Sequence, residues 1–135
     1  MANLVPKIYT NDLDVNTPIG IGFPLNVGTP NHNYNTTAQV HDNLRNLILT
    51  IKGERPMQPN FGSDVYLLVF EQLYEDDLAQ AARQAIKEAV REWMPALTIE
   101  EVQVTANPDN NKILIEVNYL VQGWPASDSL NLTVN

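Results

Sequence analysis

The stretch Thr36-Thr-Ala-Gln-Val-His-Asp-Asn-Leu-Arg-Asn-Leu-Ile-Leu-Thr-Ile-Lys-Gly-Glu-Arg-Pro-Met-Gln-Pro-Asn-Phe-Gly-Ser63 carries the first strong structural signal in the chain. Val40, Leu44, Leu47, Ile48 and Ile51 recur at helical steps, so their side chains form one apolar stripe. That spacing predicts a helix from about Thr37 to Ile51. Thr36 and Gln39 have capping-box spacing, and Gly53 suits the stop. Pro56 and Pro59 then bracket a non-helical excursion, because proline lacks an N–H and biases its predecessor away from helix. Phe61 is expected to enter the core and Gly62 to free the turn. Ser63 is placed to cap a second helix, with Asp64 in the first turn where the helix dipole favours an anion. Val65, Leu68, Val69 and Leu73 would form its inner stripe. Tyr66 and Phe70 would widen that stripe, so this helix is expected to be buried on more than one side.

Downstream, Leu78, Ala82, Ala85, Ile86, Ala89 and Trp93 share one face of a third helix, about Asp76 to Trp93, with Pro95 just beyond its end. The period then changes to two. Val102 and Val104 alternate with Glu101, Gln103 and Thr105; Pro108-Asp-Asn-Asn111 reads as a turn. Ile113, Ile115, Val117, Tyr119 and Val121 give one core face of a strand whose other face is partly wet. Gly123-Trp-Pro-Ala-Ser127 breaks the run, and Leu130, Leu132 and Val134 alternate in a last strand. Residues 1–36 differ, holding four of the nine prolines, three of the six glycines and many asparagines. They read as an irregular arm with one short strand at Ile19–Phe23. The expected architecture is α+β: a single domain (37–135) of three helices on a small, mainly antiparallel sheet, preceded by the arm (1–36).

Composition narrows the chemistry. A chain of 135 residues hides roughly 65–70 % of its unfolded surface and needs no staple. Cysteine is absent, which removes disulfides, iron–sulfur clusters, thiol nucleophiles and thiolate zinc sites. A net charge of −8 argues against nucleic acid or anionic membrane as the main partner. No apolar run approaches the roughly 18 residues of a membrane-spanning helix. The start of the chain lacks a signal-peptide layout, so a cytosol-like compartment is expected, with carriage inside a larger particle left open. No phosphate-binding loop, dinucleotide fingerprint, HExxH motif or nucleophile elbow occurs. His32 and His41 lack a supporting set of carboxylates, and Asp42 alone does not make a metal site. Glu54 with Glu71, Glu75, Asp76 or Asp77 could in principle supply the carboxyl pair of a glycosidase, about 5–10 Å apart. Glu54 beside Arg55 fits charge-assisted hydrogen bonding better, within the chain or to a partner. No cofactor is expected.

The helix ending Leu47-Ile-Leu-Thr50, the Gly53-Glu-Arg-Pro56 loop and Pro59-Asn-Phe-Gly62 opening the next helix resemble the baseplate wedge proteins of contractile phage tails, a family shared with a type VI secretion baseplate subunit. The likeness covers roughly residues 37–121. It implies a non-enzymatic virion subunit, present in multiple copies in the tail baseplate and assembled in the host cytoplasm. It also implies contacts with the wedge core bundle and other wedge proteins, and a platform for the tail sheath subunit. Glu54, Arg55 and Pro56 match the loop linked to baseplate contacts. Because sheath subunits of this class share strands, Leu130, Leu132 and Val134 are candidates for setting the register of an added strand. The alternatives are a small adaptor of the same fold outside a particle and a cell-wall glycosidase.

Overall fold

The computed structural model describes residues 10–25, 27–71, 74–107, 110 and 112–134. Leu73 of the expected stripe and Pro108, Asp109 and Asn111 of the expected turn lie outside the described residues. In chain order the elements are a 3-10 turn (Thr10–Leu13), β1 (Gly20–Ile21), β2 (His32–Asn33), α1 (Thr36–Leu49), α2 (Val65–Leu68), α3 (Glu75–Trp93), β3 (Leu97–Asn107), β4 (Lys112–Val121) and β5 (Asp128–Val134). β1 and β2 form a small antiparallel pair, and β3–β4–β5 form an antiparallel sheet in sequence order. The fold is therefore α+β, with three α-helices and two small sheets among the described residues.

α1 packs with Leu44, Leu47 and Ile48 inward, and α3 with Leu78, Ala82, Ile86, Ala89 and Val90. They meet the odd-numbered face of β4, Ile113 to Val121, and the Leu130, Leu132 and Val134 face of β5. β3 begins earlier than its alternation suggests. A bulge between Ile99 and Glu101 shifts its phase by one residue. Leu97 and Ile99 point inward before it, Val102 and Val104 after it, so no single period spans the strand.

The start of α1 corrects the expected capping box. Asn35, not Thr36, is the N-cap, and its Oδ1 accepts from the Ala38 N–H at 2.8 Å. Thr36 is the first helical residue, and both its N–H (2.7 Å) and its hydroxyl (2.8 Å) donate to Asp12. Asp12 thereby fills one of the orphan donors at the helix start and places a negative charge there. The Gln39 amide goes to Asn43 instead of the cap. Asp42, buried, accepts from the Phe23 N–H (3.2 Å) and the Asn33 side chain (2.7 Å). Two carboxylates thus fasten the arm to α1. A side chain at Gly20 would require the Gln39 amide to move aside.

α2 is a single turn and not the full helix expected. Val65 and Leu68 enter the core, but Phe70 lies outside it, correcting the reading of a helix buried on several sides. Leu68 sits at the margin of the core, where neighbours can relax into a void. Leu68→Ala should therefore fall at the low end of the usual range, about 2–3 kcal/mol in urea melts. A loss below about 1 kcal/mol would mean that the turn contributes little to the core.

Candidate docking surfaces

The loop after α1 is a closed, internally bonded structure. Thr50 turns extended, and its hydroxyl donates to the Asn46 carbonyl at 2.6 Å. Thr50, not Gly53, caps the helix, whose last residue, Leu49, lies two before the expected Ile51. The two ends of the loop then meet. The Ser63 N–H donates to the Thr50 carbonyl (2.9 Å), and Ile51 and Ser63 form an isolated parallel bridge. The fully buried Ser63 hydroxyl donates to the Ile48 carbonyl at 2.6 Å, so it satisfies one of the helix's orphan acceptors. The same oxygen accepts from the Val65 N–H at 3.4 Å, the weak remnant of the expected cap. Between these ends, Gly53 N–H donates to the Pro59 carbonyl (2.7 Å) and Gln58 N–H to the Arg55 carbonyl (3.2 Å).

On this frame the structure places the expected site residues as follows. Glu54 is exposed, and its Oε2 accepts from the Ile51 N–H at 3.2 Å. Arg55 is half-buried, its guanidinium carbon 4.1 Å from the centroid of the Phe61 ring. Phe61 in turn meets Trp93 of α3 edge-to-face, centroids 5.1 Å apart. The Arg55 cation thus rests on an aromatic stack. Among the described residues it has no carboxylate partner, which leaves its planar fork of donors available. Pro56 is exposed, as is Met57 beside it, 92 % accessible. Sequence reasoning missed Met57 and the Trp93 stack. It also missed the Lys52–Asp64 ion pair (3.1 Å) across the base of the loop.

The second surface is a sheet edge. Arg83 of α3 donates to the Val102 carbonyl at 3.0 Å, so that carbonyl faces away from β4. Gln122 N–H donates to the Ala96 carbonyl (2.9 Å), extending the β3–β4 ladder. Backbone direction alternates along a strand. Even-numbered β4 residues therefore bond to β3, and odd-numbered ones to β5. With Val117 opposite Leu130 and Ile115 opposite Leu132, the backbones of Leu130, Leu132 and Val134 are paired to β4. Their side chains are buried in the chain's own core. The outward backbone groups belong to Ser129, Asn131 and Thr133. The Ser129 N–H is taken by Asp128 Oδ1 (2.8 Å). The other Asp128 oxygen accepts from the Tyr119 hydroxyl at 3.3 Å, and burial pushes that hydroxyl well above its usual titration range. The two edges differ. The β3 edge is bent by its bulge and covered at Val102 by Arg83, whereas β5 has a strand on one side only among the described residues.

Glu54, Glu71, Glu75, Asp76 and Asp77 are all exposed, and Asp76 lines an open groove along α3 with Arg83, Lys87 and Arg91. His41 Nδ1 lies 3.8 Å from Asp42, and His32 lies beside Tyr34. No group of three or more potential metal ligands occurs among the described residues.

Three solved structures share this fold. A protein assigned as a tail lysozyme from Geobacter sulfurreducens is 21 % identical, with a TM-score of 0.64 over 73 % of this chain and 89 % of that one. A chain of the pyocin R2 post-contraction baseplate is 21 % identical, with a TM-score of 0.51 over 84 % and 96 %. A chain of the type VI secretion baseplate complex is 16 % identical, with a TM-score of 0.53 over 72 % and 92 %. No curated protein sequence matches. Residues 35–126 match the model of the family described as baseplate wedge protein gp25, a span that holds α1, the braced loop, α2, α3, β3 and β4. The chain therefore belongs to the baseplate wedge protein gp25 family.

Proposed function

We propose that this chain is a structural subunit of the inner baseplate of a contractile tail and not a hydrolase. In this reading the Glu54–Pro56 loop docks on other wedge subunits, and the outer edge of β5 receives a strand from the first ring of sheath. The observation that carries it is the loop itself. It is rigidified by its own hydrogen bonds, yet it presents an arginine with no acidic partner among the described residues, flanked by exposed Pro56 and Met57. A surface ordered before binding loses little entropy on docking, and an arginine fork suits a carboxylate or backbone carbonyls on a partner. The likeness to a tail lysozyme raises a hydrolytic alternative, but the carboxylates that could serve it are all exposed on the surface.

Arg55→Ala separates docking from bracing. Loss of the stack on Phe61 should lower stability by only about 0.5–1 kcal/mol. Incorporation into baseplates, measured by pull-down with co-expressed wedge subunits, should fall by roughly tenfold or more. A large drop in melting temperature combined with normal incorporation of the folded fraction would make Arg55 an internal brace alone. Peptidoglycan turnover abolished by Glu54→Gln would instead establish the hydrolase reading.

A further inference from the structure

The segment around α2 is more apolar than this chain's own packing requires. Val65 and Leu68 enter the core, while Leu67, Phe70 and Tyr74 stand 47, 71 and 85 % exposed. Phe70 N–H donates to the Leu67 carbonyl (3.1 Å), so these two residues are one tight turn apart. The Phe70 ring is held by Tyr66, with centroids 5.7 Å apart and a tilt of 60°. The face is thus partly ordered before any partner arrives. A sequence patterned for burial on two sides, whose described residues bury only one, marks a place where local and global requirements disagree; such places are often functional.

The surroundings specify what would cover it. Glu71, Glu75, Asp76 and Asp77 are all exposed, and none has a cation within ion-pair distance among the described residues. The nearby backbone offers no strand edge: the N–H groups of Leu67, Val69, Phe70 and Glu71 donate to carbonyls three residues or fewer before them. Recognition must therefore run through side chains. A second copy of this chain meeting the same face would set acid against acid. We propose that the apolar patch at Leu67 and Phe70 docks an amphipathic helix of another subunit. That helix presents leucine-like residues to the face and lysine or arginine along its flank, toward the acidic rim. The proposal is independent of the Arg55 loop and the β5 edge.

The test uses the full-length, isotope-labelled chain and a synthetic amphipathic peptide of about 18 residues, with leucines on one face and lysines on both flanks. A matched peptide carries glutamate in place of lysine. Saturable amide shifts should centre on residues 65–78, and the glutamate peptide should bind at least roughly tenfold more weakly. Phe70→Ser, at an exposed position, should melt like the parent and weaken binding by roughly tenfold or more. The double change Glu75→Lys, Asp76→Lys should reverse the preference between the two peptides. Shifts centred elsewhere, equal binding of both peptides, or undiminished binding by Phe70→Ser would overturn the proposal. Concentration-dependent dimerisation of the chain alone, lost in Phe70→Ser, would assign the face to a second copy and overturn it too.

Discussion

Gly62→Ala should destabilise the protein by about 2–6 kcal/mol, although it removes nothing from the core. Gly62 has φ of +124°, in a region that residues with a Cβ rarely occupy. Holding alanine there costs about 1–3 kcal/mol. A Cβ would also overlap the Thr50 carbonyl oxygen, the acceptor for the Ser63 N–H at the loop's closure. Moving that carbonyl leaves a buried donor without its partner, a further cost of about 1–3 kcal/mol. Gly53→Ala is the matched control. Gly53 also has positive φ, +90°, but a Cβ there meets open space. It should show only the conformational part, about 1–3 kcal/mol. Equal losses for the two variants in urea melts would show that the overlap at Thr50 relaxes freely, and that this closure does not hold the loop in shape.

That contrast also marks what the sequence reveals unaided. Gly62 and the prolines announce a turn, and the helical stripes of α1 and α3 and the alternation of β4 and β5 are legible because each keeps one period throughout. The start of β3 was hidden because the extra residue at the bulge moves the inward set from odd to even positions. The sequence alone places the helix cap one residue late, because nothing local shows that Asp12 takes the Thr36 hydroxyl. Contact between residues this distant leaves no local trace. The same holds at the docking loop. Glu54, Arg55 and Pro56 stand out as a motif, but the arginine's resting place depends on Phe61 being propped by Trp93 from α3. The apolarity of α2 was plain, yet whether it faced core or solvent depended on where the turn ends.

The β5 edge shows the limit most sharply, because the alternation that identifies a strand does not say which backbone groups face outward. Arg83 on Val102 and the pairing of Gln122 with Ala96 fix that phase, and a pair of prolines one residue apart makes it testable. Leu132→Pro should unfold the chain. Its N–H belongs to the β4 ladder and its side chain to the core. Removing them costs about 3 kcal/mol or more for the backbone and about 2–5 kcal/mol for the buried leucine. Together these approach the whole stability of a typical domain, about 5–15 kcal/mol. Deleting Leu130–Asn135 would fail in the same way and say nothing about docking. Thr133→Pro differs in kind. Its N–H points away from β4 and its side chain is exposed, and proline is tolerated on an edge strand in that orientation. The variant should melt within about 1 kcal/mol of the parent but lack one donor that an incoming strand needs. On purified baseplates it should nucleate far fewer sheaths, while Thr133→Ala, which keeps the N–H, should nucleate them normally. Sheaths of normal number and length on folded Thr133→Pro baseplates would exclude the β5 edge as the seat of the first sheath ring. The Arg55 loop could then still dock on the wedge, since it shares no backbone with this strand.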